Sequence, residues 1–318
     1  MLAAFYVTYF VFASFSFNVA QQQQQPLQYV DGYRSSCKFH QAGTFNLIIS
    51  APHGGSLMPT DVPDRTQGGC RRSGSYCTWR YDDKCFDGQR CTATTVQDYL
   101  SSEFAENVAE ELNSKHGLKP FVVIGKWSRK KVDFNREINE ATLNHPEAIS
   151  AYQSYHTNLQ YAIDQVKQQY GNGLLIDIHG QGVGNFTMVG YLLDSDLLNR
   201  DDLQSTLGTI TSIEQICSLS NRTECIRGQT SFGTILETNE LGIAYPSMAH
   251  LKPGNGTFFE GGYITRNYIL KINAIQTELP YDIRAGPYKR VNAMKYARAL
   301  IDYMTVNTIL LKNSKSTM

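Results

Sequence analysis

Excess charge of either sign is missing from this 318-residue chain, since Lys plus Arg and Asp plus Glu both number 29. A nucleic-acid footprint or a polybasic membrane patch needs a surplus of cations, so neither partner class is expected. No Gly-x-Ser-x-Gly elbow occurs, which removes the usual seat of a serine nucleophile. No Cys-x-x-Cys pair occurs, so the cysteines lack the spacing of a structural zinc cluster. There is no internal repeat and no domain linker, and beyond the amino-terminal leader no apolar run is long enough to cross a membrane. With 42% hydrophobic and 18% charged residues, the composition suits one large globular domain.

Charge is also absent locally, because the first thirty residues carry no charged side chain. Met1 to Ala20 is apolar and aromatic, and Gln21 to Gln25 is a polar run before Pro26. This reads as a secretory signal peptide cut near Ala20; an uncleaved signal anchor is the alternative, although the run is short for a full span. After it come an extension over 21–44 and a single domain over 45–312. Cys70, Cys77, Cys85 and Cys91 crowd into a glycine-rich insert over 61–93, and read as staples of an oxidising compartment. Cys217 and Cys225 can close a small loop, and Cys37 is left odd or pairs into the insert. The sequons at Asn185, Asn221 and Asn255 agree with a secreted, extracellular glycoprotein, free of the membrane once the leader is removed.

What is present alternates between strand and helix patterns. Strands are expected over Phe45–Ser50, Phe121–Gly125, Leu174–Ile178, Phe186–Leu193 and Tyr268–Leu279. Four-residue spacing of Val96, Leu100, Phe104, Val108 and Leu112 predicts a helix over Thr95–Lys115. Further helices are expected over Pro146–Tyr170, in part over Leu198–Leu219, and over Val291–Leu311. The alternation predicts an α/β fold, a three-layer α/β/α arrangement with a mixed, mostly parallel sheet and a disulfide-rich loop insert.

Functional groups in such sheets collect at the carboxyl ends of strands. There the chain places Pro52-His53, Ser128 to Arg136, Asp177-Ile-His179 and Gln276-Thr-Glu278. Two histidines and a carboxylate can make an open zinc site with a position left for water, whose pKa the ion lowers. Asp177 lies two residues before His179, on the same strand face, and can orient its imidazole. Glu278 is the candidate to accept the water's proton and pass it to a leaving amine. Arg136 offers a planar fork for a substrate carboxylate, with Asn135 as a second donor and Arg129 as a further cation. Asp133 can hold Arg136 or Arg129. Each has a structural alternative: a turn histidine, a helix cap, an ion pair or a surface carboxylate.

Pro52-His-Gly-Gly55, Ser128-Arg-x-x-Val-Asp-Phe-Asn-Arg136, Asp177-Ile-His-Gly180, Gly261-Gly-Tyr263 and Gln276-Thr-Glu-Leu279, in that order, resemble the N-formylglutamate amidohydrolase family. The likeness runs from about Leu47 to Arg284. That family is similar in fold to zinc carboxypeptidases and aspartoacylase-like deacylases. The resemblance implies a hydrolase, dependent on one zinc ion, that cuts an amide next to a free carboxylate. It implies His53 and His179 as metal histidines, Asp98 as third ligand, Asn135 and Arg136 as the carboxylate grip, and Glu278 as acid/base. Asp98 also reads as a dipole-friendly residue of a helix start capped by Thr95, and Asp82 and Asp83 are rivals for its role. Ser56 stands where a carboxypeptidase ligand pair would have its Glu.

The leader, cysteines and sequons depart from the family's intracellular namesake reaction, so an N-acyl amino acid or short peptide is the expected substrate class. The alternative is a catalytically silent extracellular-matrix or binding protein retaining the fold.

Overall fold

The computed structural model describes residues 24–73, 76–81, 92–204 and 208–311. The leader, Asp82, Asp83, Cys85 and Cys91 lie outside the described residues. Runs such as Leu47-Ile-Ile-Ser-Ala51 and Phe121-Val-Val-Ile-Gly125 are buried at every position, as expected of strands covered on both faces. In chain order the elements are β1 (Val30–Asp31), β2 (Cys37–His40), β3 (Leu47–Ala51), β4 (Gly69–Ser73), β5 (Tyr76–Arg80), α1 (Ser101–His116), β6 (Phe121–Gly125), α2 (Ile138–Thr142), α3 (Pro146–Tyr170) and β7 (Leu174–Gly180). They continue as β8 (Thr187–Gly190), α4 (Ser195–Leu198), α5 (Glu214–Cys217), α6 (Arg222–Arg227), α7 (Phe232–Thr238), β9 (Ala244–Tyr245), α8 (Tyr263–Asn267), β10 (Asn273–Leu279), α9 (Tyr281–Arg284) and α10 (Lys289–Val306).

Eight strands form one mixed sheet in the order β1-β2-β6-β3-β7-β10-β8-β9, and β4 and β5 make a separate hairpin in the insert. The centre, β6-β3-β7-β10, is parallel throughout. On one face α1 packs against α10, with Phe104, Val108, Leu112, Tyr296 and Leu300 in its core. On the other lies α3, burying Tyr155, Leu159, Ile163 and Val166. Helices on both faces make three layers. The sheet begins before residue 45, because β2 pairs with β6.

Several expected boundaries moved: the terminal helix ends at Val306 and not Leu311, and the strand expected over Phe186–Leu193 is Thr187–Gly190. The first helix starts at Ser101, and Val96 is exposed, because Leu100 turns with φ +60 and releases the preceding segment towards the site. The late strand starts at Asn273 because Tyr263–Asn267 form α8 and the Tyr268 hydroxyl meets the His156 ring at 3.0 Å. The helix over Pro146–Tyr170 keeps its expected bounds, opened by a proline that needs no hydrogen-bond donor and closed by Gly171.

Cys70 pairs with Cys77 and Cys217 with Cys225, while Cys37, the first residue of β2, is a buried free thiol. At the amino end of the parallel strands, the Asn46 amide donates to Asn172 O and Ile309 O and accepts from Leu311 N. The tail after α10 is thereby laced to the base of the sheet. No described helix is long and apolar enough to cross a membrane.

Candidate metal centre

The sheet delivers the site by register. In the parallel pair β7–β10, Asp177 lies beside Gln276 and His179 beside Glu278. Side chains two apart on a strand share a face, so these four form one array at the carboxyl ends. His53 follows β3, the neighbour of β7 on its other side. Asp98 comes from the turn before α1, where its N–H donates to His53 O at 3.1 Å and its Oδ2 accepts from Gly180 N at 3.2 Å. Asp98 is therefore no helix cap; its carboxylate is turned inward, and it is buried with both histidines.

The ligand atoms of His53, Asp98 and His179 all lie within 4.8 Å of one another. Asp98 Oδ2 is 2.8 Å from His179 Nδ1 and 3.4 Å from His53 Nδ1. The opposite ring nitrogens are held by other carboxylates: His53 Nε2 lies 2.7 Å from Asp133 Oδ1, and His179 Nε2 lies 2.9 Å from Asp177 Oδ2. Carboxylates behind imidazoles in this way orient rings for a metal. Buried His53 Nδ1 has no hydrogen-bond partner, as expected of an atom whose lone pair serves an ion. The donor set of two imidazoles and a carboxylate fits zinc.

Electrostatics point the same way. Burial disfavours the charged form of His179, but Asp177 and Asp98 outweigh it and hold the ring protonated well above its usual range. Burial pushes Asp98 upward, and the His53 and His179 rings reverse that, holding its carboxyl well below the ordinary range. Acids forcing a proton onto a buried imidazole make a cage where a cation can replace that proton. Glu278 differs: burial pushes it up to about 7, with His179 opposing and Asp98 adding. Gln276 Nε2 donates to its Oε1 at 2.9 Å.

The cations divide. Arg129 is buried and donates through Nε to Asp133 Oδ2 at 2.7 Å, so Asp133 serves Arg129 with one oxygen and His53 with the other. Arg136 is half-buried, lies 3.3 Å from Glu140 Oε1 and lines the cavity. Asn135 also lines it, but its amide is engaged: Oδ1 accepts from Ile264 N at 2.7 Å, and Nδ2 faces Gln276 Oε1 at 3.3 Å. Its Nδ2 lies 3.0 Å from His179 Nε2. Both nitrogens are donors here, so this is a contact and not a hydrogen bond. A Cβ on Gly262 would come within 2.2 Å of that amide, so glycine permits the approach.

Sequence reasoning missed three supports. Fully buried Arg65 donates to the carbonyls of Thr94, Arg129 and Glu140, pinning the segments around Arg129. Buried Arg284 donates to Tyr99 O at 3.0 Å, Gln181 O at 3.3 Å and Leu279 O at 2.8 Å. Those carbonyls follow Asp98, His179 and Glu278 by one or two residues. His156 Nε2 donates to Phe134 O at 3.0 Å, and the Tyr268 hydroxyl donates to its Nδ1, bracing the loop before Asn135. No local sequence signal marks long-range donors to carbonyls.

The centre floors a cavity of about 520 Å³. A second of about 570 Å³, lined by Glu111, Lys115, Glu240 and Lys295 among others, holds none of the converging groups.

No protein-family model and no curated protein sequence matches the chain. Among solved structures it is similar to N-formylglutamate amidohydrolase from Ralstonia eutropha JMP134, at 11% identity and TM-score 0.48, over 86% of this chain and 98% of that one. It is similar to the gene product Atu2144 from Agrobacterium tumefaciens, at 11% identity and TM-score 0.47, over 86% and 94%. A metallo-carboxypeptidase from Burkholderia cenocepacia follows at 11% identity and TM-score 0.38, over 90% and 66%. The chemistry of this chain is read from its own side chains.

Proposed function

We propose that the chain is a zinc-dependent amidohydrolase that cleaves an N-acyl amino acid or short peptide bearing a free carboxylate. The observation that carries this is the convergence of His53 Nδ1, His179 Nδ1 and the Asp98 carboxylate, each ring backed by its own aspartate. In this reading His53, Asp98 and His179 hold the ion. When bound, zinc supplies Lewis acidity and a water acidified towards neutral pH.

The other residues do the remaining work. Glu278 stands beside His179 on the adjacent strand, with one carboxylate oxygen engaged by Gln276. Its carboxyl, raised by burial, suits taking a proton at Oε2 and returning it to the departing amine nitrogen. Water adds its oxygen to the acyl carbon, the C–N bond breaks, and acid and amine leave. Arg136, which lines the cavity with Nε near Glu140 and Nη1 donating to Asn135 O, is assigned to hold the substrate carboxylate. Arg129 is assigned a different part from the one expected: tied to Asp133, it keeps positive charge next to the site. Asn135 shapes the wall and fixes the start of α8. Secretion belongs to the proposal, with sugar carried on the exposed Asn185, Asn221 and Asn255.

The test is metal analysis of the purified protein, then a screen of N-acyl amino acids and dipeptides. One zinc per chain and turnover abolished in Glu278→Gln with zinc retained are expected. A chain that takes up no divalent metal at micromolar concentration refutes the proposal. Arg136→Lys is expected to raise KM for free acids more than for their esters. Equal effects on both would remove Arg136 as anchor.

A further inference from the structure

The cavity above the centre has buried charge at its floor, and its more exposed lining carries a group of apolar side chains beside half-exposed Arg136 and Glu260. Val96 is 72% exposed, Val183 51% and Phe259 40%, with Phe258 half-buried beside it. All four line the cavity that contains His53, His179 and Glu278. They come from three separate segments, and each segment is braced. Val96 O accepts from Arg129 Nη1 at 3.4 Å, two residues before Asp98 is bonded to the His53 backbone. Val183 sits on a turn held by the Gln181 amide, which donates to Gly184 O and Phe186 O and accepts from Val183 N and Gly184 N. Phe259 N–H donates to Met188 Sδ at 3.2 Å, and Glu260 O accepts from Leu192 N at 2.7 Å. Single exposed apolar side chains need no explanation, but four held around one opening do, since water contact with them stabilises nothing.

We propose that this collar receives the acyl group of the substrate, and that the acyl group is apolar and of medium size, an alkyl or aryl-alkyl chain and not formyl or acetyl. The proposal rests on the amidohydrolase reading and narrows its substrate class. A cavity of about 520 Å³ falls in the range that encloses ligands of drug size. An N-acyl amino acid placed with its carboxylate on Arg136 and its acyl chain against the collar sets charge on charge and hydrocarbon on hydrocarbon. A short acyl group would leave the collar wet.

The experiment compares N-acetyl, N-octanoyl and N-phenylacetyl forms of glycine, leucine and glutamate on the zinc-loaded full chain. The kcat/KM for the octanoyl compounds is expected to exceed that for the acetyl ones by roughly 30-fold or more, since each buried methylene contributes severalfold. Val183→Ser and Phe259→Ser are each expected to shrink that ratio by roughly 5-fold. Calorimetric binding of the same compounds to the Glu278→Gln protein reads the collar without turnover. Octanoyl forms should bind more tightly than acetyl forms, with a more negative heat-capacity change. Equal affinities and flat or reversed kcat/KM overturn the collar while leaving the hydrolase reading intact. No cleavage of any compound, with the binding preference retained, overturns the hydrolase reading and keeps the collar. Concentration-dependent dimerisation lost in Phe259→Ser, without acyl preference, would assign the surface to a second copy of the chain and overturn the proposal.

Discussion

Asp177 shows how much one residue contributes to the centre. Its Oδ2 accepts a hydrogen bond from His179 Nε2–H, and its Oδ1 accepts from the Ser50 hydroxyl on the neighbouring strand. Asp177→Asn keeps the shape and removes the charge, so zinc affinity is expected to fall about 10- to 100-fold. Competition titration against a chromogenic chelator measures this, and an unchanged affinity would deny Asp177 its orienting part. His156 gives a pH signature. Burial moves its pKa down from 6.5 to about 4, opposed by its bond to Phe134 O. The unfolded chain therefore binds the proton first as pH falls, and the folded chain does not. Stability contributed by the neutral ring is present above about pH 6.5 and is lost progressively as pH falls towards 4. Denaturant melts across that window should show a shallower decline in His156→Phe. Much of this scale was legible, since His53, His179, Asp98, Asp177 and Glu278 do come together. Asp133 was only half legible: its bond to Arg129 spans four residues, whereas its bond to His53 spans 80.

Among elements, α9 does more than connect strand to helix. Its last residue, Arg284, binds the end of β10, the segment that follows β7 and the turn that precedes α1. A Cβ on Gly180 would lie 2.1 Å from Arg284 Nε, so that position accepts only glycine if the guanidinium is to pass. Arg284→Met is expected to weaken zinc binding by about 10-fold and to lower kcat more than it raises KM, with Arg284→Lys restoring part of both. A fall in thermal midpoint with zinc affinity untouched would reduce Arg284 to a purely structural support. Element boundaries were legible where periodicity and burial agree, as in α3. They were not legible at α1, where the four-residue spacing runs back through Leu100 and Val96 although Asp98 is turned into the site. There a long-range demand on one carboxylate overrides the local pattern.

At the scale of the molecule, alternating strand and helix patterns were enough to expect three layers, because parallel strands must be covered on both faces. The antiparallel edge made by β1 and β2 was not legible, since short edge strands carry little periodicity. The disulfide between Cys217 and Cys225 closes a loop with a sequence separation of 8. Replacing both cysteines by alanine should cost about 2 kcal/mol through the freer unfolded chain, lowering the thermal midpoint by roughly 5 °C. Scanning calorimetry in the presence of excess zinc checks this, and an unmoved midpoint would mean the bond constrains nothing. The lacing of Asn46 to Ile309 and Leu311 sits at the foot of β3, while the cavity opens above its head. A capture handle joined beyond residue 311 therefore anchors the molecule by the pole remote from its opening. Protein tethered to a bead or sensor chip this way faces the flowing solution mouth outward.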